Sequence, residues 1–169
     1  MLGWAKEVLY IIVYFILSAS NIVYTPAHGE FDPQKTNVVL VYGMSATPPV
    51  MMPLKHKLEK AGFNVVIADI GWARDDIDVL AERLDSFLKD REKILNQRYG
   101  LTLADMRDRT ILFGHSMGGL IIVAAQRHDR QLMKFQVVSA GTPFRGAPSA
   151  YIAFWRWPAY EMRPNAPWL

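Results

Sequence analysis

Apolar positions fall in two rhythms along the chain. Asn37-Val-Val-Leu-Val-Tyr42, Asn64-Val-Val-Ile-Ala-Asp69, Thr110-Ile-Leu-Phe113 and residues 135–139 are short, nearly unbroken apolar runs, which suit strands covered on both faces. Longer segments between them repeat at helical spacing. Met51 to Ala61 carries Met52, Leu54, Leu58 and Ala61 and ends at Gly62, a residue suited to a helix C-cap. From about Asp76 to Arg98, Ile77, Leu80, Ala81, Leu84, Phe87 and Leu88 form one stripe. Asp75, Asp76 and Asp78 stand at the positive end of that helix and are expected to cap it. Met117 to Arg127 is apolar nearly all round and predicts a buried helix. Strand and helix in alternation with short connections imply an α/β fold, a parallel sheet with helices on both faces. Ligands of such sheets bind at the C-terminal ends of the strands, so the loops after Tyr42, Asp69, Phe113 and Ser139 are the places to look for chemistry.

The N-terminal segment has a different pattern. Val8 to Leu17 is an unbroken apolar run between Lys6-Glu7 and Ser18-Ala19-Ser20, the outline of a secretory signal peptide. Extended to Val23, it remains shorter than the roughly 20 residues that span a bilayer, so a tilted membrane anchor is the alternative and a buried segment of the domain the third reading. The expected organisation is a signal peptide or membrane anchor over residues 1–24, a polar linker over 25–36 and the domain over 37–169. The first segment makes the protein exported or membrane-anchored.

Composition excludes several function classes. Half of the residues are hydrophobic (51%) and 21% are charged, the make-up of one globular domain with a sizeable core. The net charge of +3 is scattered and forms no basic run, which argues against nucleic acid as a partner. With no cysteine there is no disulfide, thiol nucleophile or thiolate metal site, and no metal or cofactor is expected. Four histidines remain as possible bases.

The third strand runs into Gly114-His115-Ser116-Met117-Gly118-Gly119, a G-x-S-x-G placed between a strand and a buried helix. That context identifies a nucleophile elbow, a sharp turn that lifts a serine above the sheet at the positive end of the following helix. The flanking glycines are required because a Cβ at either position would strike the neighbouring strand or helix. Ser116 is the expected nucleophile, and the backbone N–H of Met117 one donor to an oxyanion. In this architecture the loop after the first strand supplies the second donor, which Tyr42-Gly43-Met44-Ser45 assigns to Met44. His115, beside the serine, reads as a packed flanking residue, and His28, His56 and His128 as linker or helix-surface residues.

From about residue 36 to its end the chain resembles the bacterial triacylglycerol lipase and esterase branch of the α/β-hydrolases. Val38-Val-Leu-Val-Tyr-Gly-Met44 is similar to the family's strand and oxyanion turn, which usually reads His-Gly where Tyr42-Gly43 stands. Phe113-Gly-His-Ser-Met-Gly-Gly119 matches the elbow, and Gly141-Thr-Pro-Phe-Arg-Gly146 resembles the Gly-Thr-Pro segment of lipases, with Phe144 where histidine is common. Met162-Arg-Pro-Asn-Ala-Pro-Trp-Leu169 resembles a lipase stretch that precedes the family's acid and base.

The resemblance implies the order serine, acid, histidine. No histidine follows His128, and the only later acids, Asp129 and Glu161, do not sit where the family's acid is expected. The chain therefore reads as the N-terminal part of an α/β-hydrolase, incomplete at its C-terminus. The implied activity is serine hydrolysis of carboxylic esters, with an ester or lipid as substrate. A non-catalytic, membrane-tethered domain that binds a lipid or a partner protein is the rival from another class; thioesterase or acyltransferase chemistry is the rival among enzymes. The aromatic-rich end, with Tyr151, Phe154, Trp155, Trp157, Tyr160 and Trp168, is expected to pack on the sheet; a lipid-facing lid is the alternative.

Overall fold

The computed structural model describes residues 29–151, 157–164 and 166. Residues 1–24, expected to be a leader or anchor, lie outside them. Among the described residues no helix is long and apolar enough to cross a membrane.

Among the described residues, four parallel strands form one sheet in the order β2-β1-β3-β4, with β1 at Asn37–Val41, β2 at Asn64–Ile67, β3 at Thr110–His115 and β4 at Gln136–Ala140. Three longer helices connect them: α1 (Met52–Lys60), α2 (Ile77–Tyr99) and α3 (Met117–His128). The path goes from β1 outward to β2, back across β1 to β3, and on to β4. Parallel crossovers are right-handed, so this reversal puts α1 on one face and α2 and α3 on the other. α2 and α3 accordingly pack against each other.

The core follows the apolar runs. All five β1 residues are buried, as are Val65, Val66 and Ile67 of β2. The α2 stripe is buried at Ile77, Leu80, Ala81, Leu84, Phe87 and Leu88, and in α3 the buried set runs from Met117 to Ala125 with Val123 partly covered. α1 sits more loosely than its spacing implied. No α1 residue is fully buried, and Met52, Leu54 and Leu58 only lean on the core.

Four expectations change. Residues 29–36, read as linker, are packed: Phe31 is buried, and Asn37 Nδ2 donates to the carbonyls of Asp32 (2.9 Å) and Lys35 (3.1 Å). Asp76 occupies the N-cap position of α2 but makes no capping hydrogen bond; Glu161, 84 residues away, accepts from the Ile77 N–H at 2.8 Å. Asp75 instead pairs with Arg83 (2.6 Å) and Asp78 faces His128 (3.3 Å). β4, expected to resemble the other strands, is exposed from Gln136 to Ser139. Successive strand side chains point to opposite faces, so β4 is bare on both.

The fourth change concerns the aromatic-rich end, where a short helix α4 spans Trp157–Glu161. Tyr151 and Tyr160 are not in the core; they are 53% and 52% exposed and flank the Arg163 guanidinium, which lies 5.2 and 4.7 Å from their ring centres. A cation held between two ring faces is attracted by their quadrupoles, which suits a half-exposed position. Phe154, Trp155 and Trp168 fall outside the described residues.

Candidate active site

β1 and β3 are neighbours whose onward connections leave in opposite directions, β1 toward β2 and β3 toward β4. The crevice above the carboxyl ends of two such strands is where doubly wound sheets take their ligands. Gly43 leaves β1 at this crevice and Ser116 leaves β3 there, and the two segments touch. A Cβ on Gly43 would fall 2.8 Å from Ser116 Cβ and 3.3 Å from its Oγ.

Ser116 stands between β3 and α3 with φ 53° and ψ −126°, a left-handed conformation that non-glycine residues rarely adopt. Its neighbours enforce the turn. A Cβ on Gly114 would lie 2.5 Å from the backbone of Gly119, and one on Gly118 would overlap the Val41 carbonyl oxygen of β1. Gly119 is held against the Thr142 side chain of the Gly141-Thr142-Pro143 loop, which also leaves no room for a Cβ. The Ser116 N–H donates to Ala140 O of β4 at 2.8 Å, tying the elbow to the sheet's outer strand. Ser116 itself is partly exposed.

Met117 opens α3, where backbone N–H groups have no partner within the helix. Met44 lies in the facing loop, partly buried. The next residue, Ser45, is also left-handed (φ 60°) and buried, and its N–H is committed to Ala73 O at 2.7 Å. Ser45 therefore does not offer its amide to the crevice.

None of the described histidines forms a hydrogen bond with the Ser116 side chain. His115 ends β3 and is exposed, not packed as expected; partial burial still holds its imidazole below the usual histidine range. His56 is exposed on α1. His128 closes α3, twelve residues on from Ser116 and so about 18 Å along the helix, where it faces Asp78. Glu161 is engaged at the start of α2, and burial pushes its carboxyl up from the usual range. Asp129 lies just beyond α3 and accepts from the Gln131 N–H at 2.8 Å. No cluster of metal-ligating side chains occurs among the described residues.

One partner escaped the sequence reading. Tyr42, where the family usually has histidine, is fully buried, and its hydroxyl donates to Gly71 O at 2.5 Å while accepting from the Ile70 N–H at 3.2 Å. A buried tyrosine at the end of an apolar strand needs a partner for its polar tip, and that was the available signal.

A parallel sheet switching direction at a strained serine between strand and helix defines an α/β-hydrolase. The model of the family described as serine aminopeptidase, S33 matches residues 32–168, and the chain belongs to that family. No curated protein matches the chain. Among solved structures it is similar to a Bacillus licheniformis lipase in mature form, at 20% identity and TM-score 0.61 over 82% of this chain and 58% of that one. A thermostable carboxyl esterase from Bacillus coagulans with glycerol bound is 24% identical over 76% of this chain and 41% of its own length, with TM-score 0.45. The chain thus spans little more than half of the lipase, and what the two share is the fold.

Proposed function

We propose that this chain carries the nucleophile and oxyanion half of a serine hydrolase acting on carboxylic esters. The supporting observation is the contact between the strained Ser116 elbow and Gly43, which brings the two oxyanion segments to one point. In this reading Ser116 Oγ attacks the ester carbonyl and gives its proton to a base. The carbonyl oxygen becomes an oxyanion held by the Met44 and Met117 amides, the alcohol leaves with the proton, and water releases the acyl group. His128 lies about 18 Å along α3 from Ser116 and faces Asp78, so in this reading the base approaches from outside the described residues. The resemblance to lipases and esterases favours an ester or lipid substrate. The family description names an aminopeptidase, and the same acyl-enzyme would serve an amide. The apolar run Val8 to Val23 adds the proposal that the protein is exported or held at a membrane.

The test is intact-mass labelling with a fluorophosphonate, beside Ser116→Ala, followed by turnover of p-nitrophenyl esters against aminoacyl p-nitroanilides. In the form of the protein that carries the base, labelling lost in Ser116→Ala, with ester turnover exceeding amide turnover, is expected. A folded chain that never labels leaves the elbow as inherited architecture in these 169 residues and places any activity in a form that carries the base; a form with the base that still never labels favours a lipid- or protein-binding domain.

A further inference from the structure

The loop carrying Met44 has no regular secondary structure, yet it must hold an amide in place beside Ser116. Its support comes from the loop after β2. Ser45 N–H donates to Ala73 O at 2.7 Å and Ala73 N–H donates to Ala46 O at 3.2 Å, so the two loops are joined by a reciprocal pair of backbone bonds across buried Ala46 and Ala73. The first of these bonds also holds Ser45 in its left-handed conformation.

The β2 loop is in turn fixed from β1. The Tyr42 hydroxyl takes the Ile70 N–H and gives its proton to Gly71 O, satisfying two consecutive backbone groups with one side chain. Arg83 Nη1 adds a bond to Ile70 O at 3.3 Å from α2. Tyr42 lies directly before Gly43 in sequence. The chain of bonds therefore closes on itself: Tyr42 to Ile70 and Gly71, Ala73 to Ser45 and Ala46, and back along the backbone to Tyr42. Gly43, inside this ring, is the residue that touches Ser116.

We propose that Tyr42 is a positioning residue for the oxyanion loop, its hydroxyl strapping the β2 loop so that residues 43–46 hold Met44 against Ser116. The proposal rests on the reading of Ser116 as nucleophile. It also gives a physical role to the departure from the family's usual histidine: the phenol reaches past the β1 end with one donor and one acceptor on the same atom. Burial raises the phenol above its ordinary range, so it stays protonated and keeps its donor at any physiological pH.

The test compares wild type, Tyr42→Phe and Leu95→Ala, the last a buried α2 residue away from both loops that serves as a control for general destabilisation. Amide hydrogen exchange of Ile70, Ala73 and Ser45 is expected to quicken at least tenfold in Tyr42→Phe and not in Leu95→Ala, while the Val39 and Leu40 amides stay protected in both. The rate of Ser116 phosphonylation per folded molecule is expected to fall about tenfold in Tyr42→Phe, a fraction of what losing an oxyanion donor outright costs, and to hold in Leu95→Ala. If Tyr42→Phe does not fold, the wild type decides: a strapped hydroxyl proton gives a slowly exchanging resonance coupled to the Tyr42 ring, and a freely exchanging one overturns the strap. Unchanged exchange at Ser45 and Ala73, or wild-type labelling by Tyr42→Phe, also overturns it. A wild type that never labels removes the hydrolase reading alone, since exchange still decides the strap.

Discussion

Gly118→Ala tests the closeness of α3 to β1 most directly. An ideal Cβ at this position would lie 2.8 Å from Tyr42 O and from the Val41 carbonyl carbon, and nearer still to Val41 O. All three are backbone atoms in the middle of the sheet, so no side chain can swing aside. Restoring ordinary contact requires α3 to move off β1 by about 1 Å, and a gap of that size forfeits a quarter to a half of each dispersion contact it opens. The helix that would move buries Met117, Leu120, Ile121 and Ile122, so the loss is expected at the upper end of overpacking, about 3 kcal/mol. For a chain of this length that lowers Tm by about 6–12 °C. Urea unfolding followed by far-ultraviolet circular dichroism gives the free energy, with Gly62→Ala as the reference: Gly62 has φ +95° and open space around it, so its substitution costs only backbone strain, about 1 kcal/mol. A Gly118→Ala chain no less stable than Gly62→Ala would refute the close approach, and with it the reason given for the elbow's glycine.

Ser116→Gly is expected to stabilise the fold by about 1 kcal/mol while abolishing labelling, since glycine adopts the Ser116 conformation without strain; a loss of stability in the same urea assay would contradict a strained elbow. Glu161→Ala removes the acceptor of the Ile77 N–H and should cost about 1 kcal/mol, whereas Glu161→Gln keeps an acceptor. Burial raises the Glu161 carboxyl above its ordinary value of 4.5, so the folded chain binds that proton more tightly than the unfolded one. Any stability lead of Glu161→Gln over wild type is therefore largest above the raised value and fades as pH falls toward 4.5; a lead that grows on acidification would reverse the assigned sign. Val138→Lys on β4, where the side chain is 45% exposed, should leave stability within about 0.5 kcal/mol and lower binding of an apolar dye; a loss above about 1.5 kcal/mol would mean the strand is covered in solution.

The parts of the fold that local chemistry dictates were legible in the sequence. Continuous β-branched runs placed the strands, the Ile77-to-Leu88 stripe placed α2, and the glycine spacing around Ser116 placed the turn, since each is set by residues within a few positions of one another. Contacts over long separations were not legible. Asp75, Asp76 and Asp78 around Ile77 looked like caps, but the geometry left that amide to Glu161, 84 residues away along the chain. Phe31 and Asn37 turned a polar-looking linker into packed chain because Asn37, buried at the start of β1, gathers the preceding carbonyls. Val137 and Val138 resemble core residues in any local window, and only the sheet's strand order shows that they lie on its margin.

That margin reaches the serine. Ser116 N–H is bonded to Ala140 O, the last residue of a strand that is exposed from Gln136 to Ser139. Protection against local opening is lowest where few apolar contacts accumulate, so opening of the exposed β4 would free one anchor of the elbow. Whatever sheathes β4 thereby stiffens the Ser116 turn without touching it, and the rigidity of Ser116 becomes a property of the neighbouring strand's cover as much as of its own glycines.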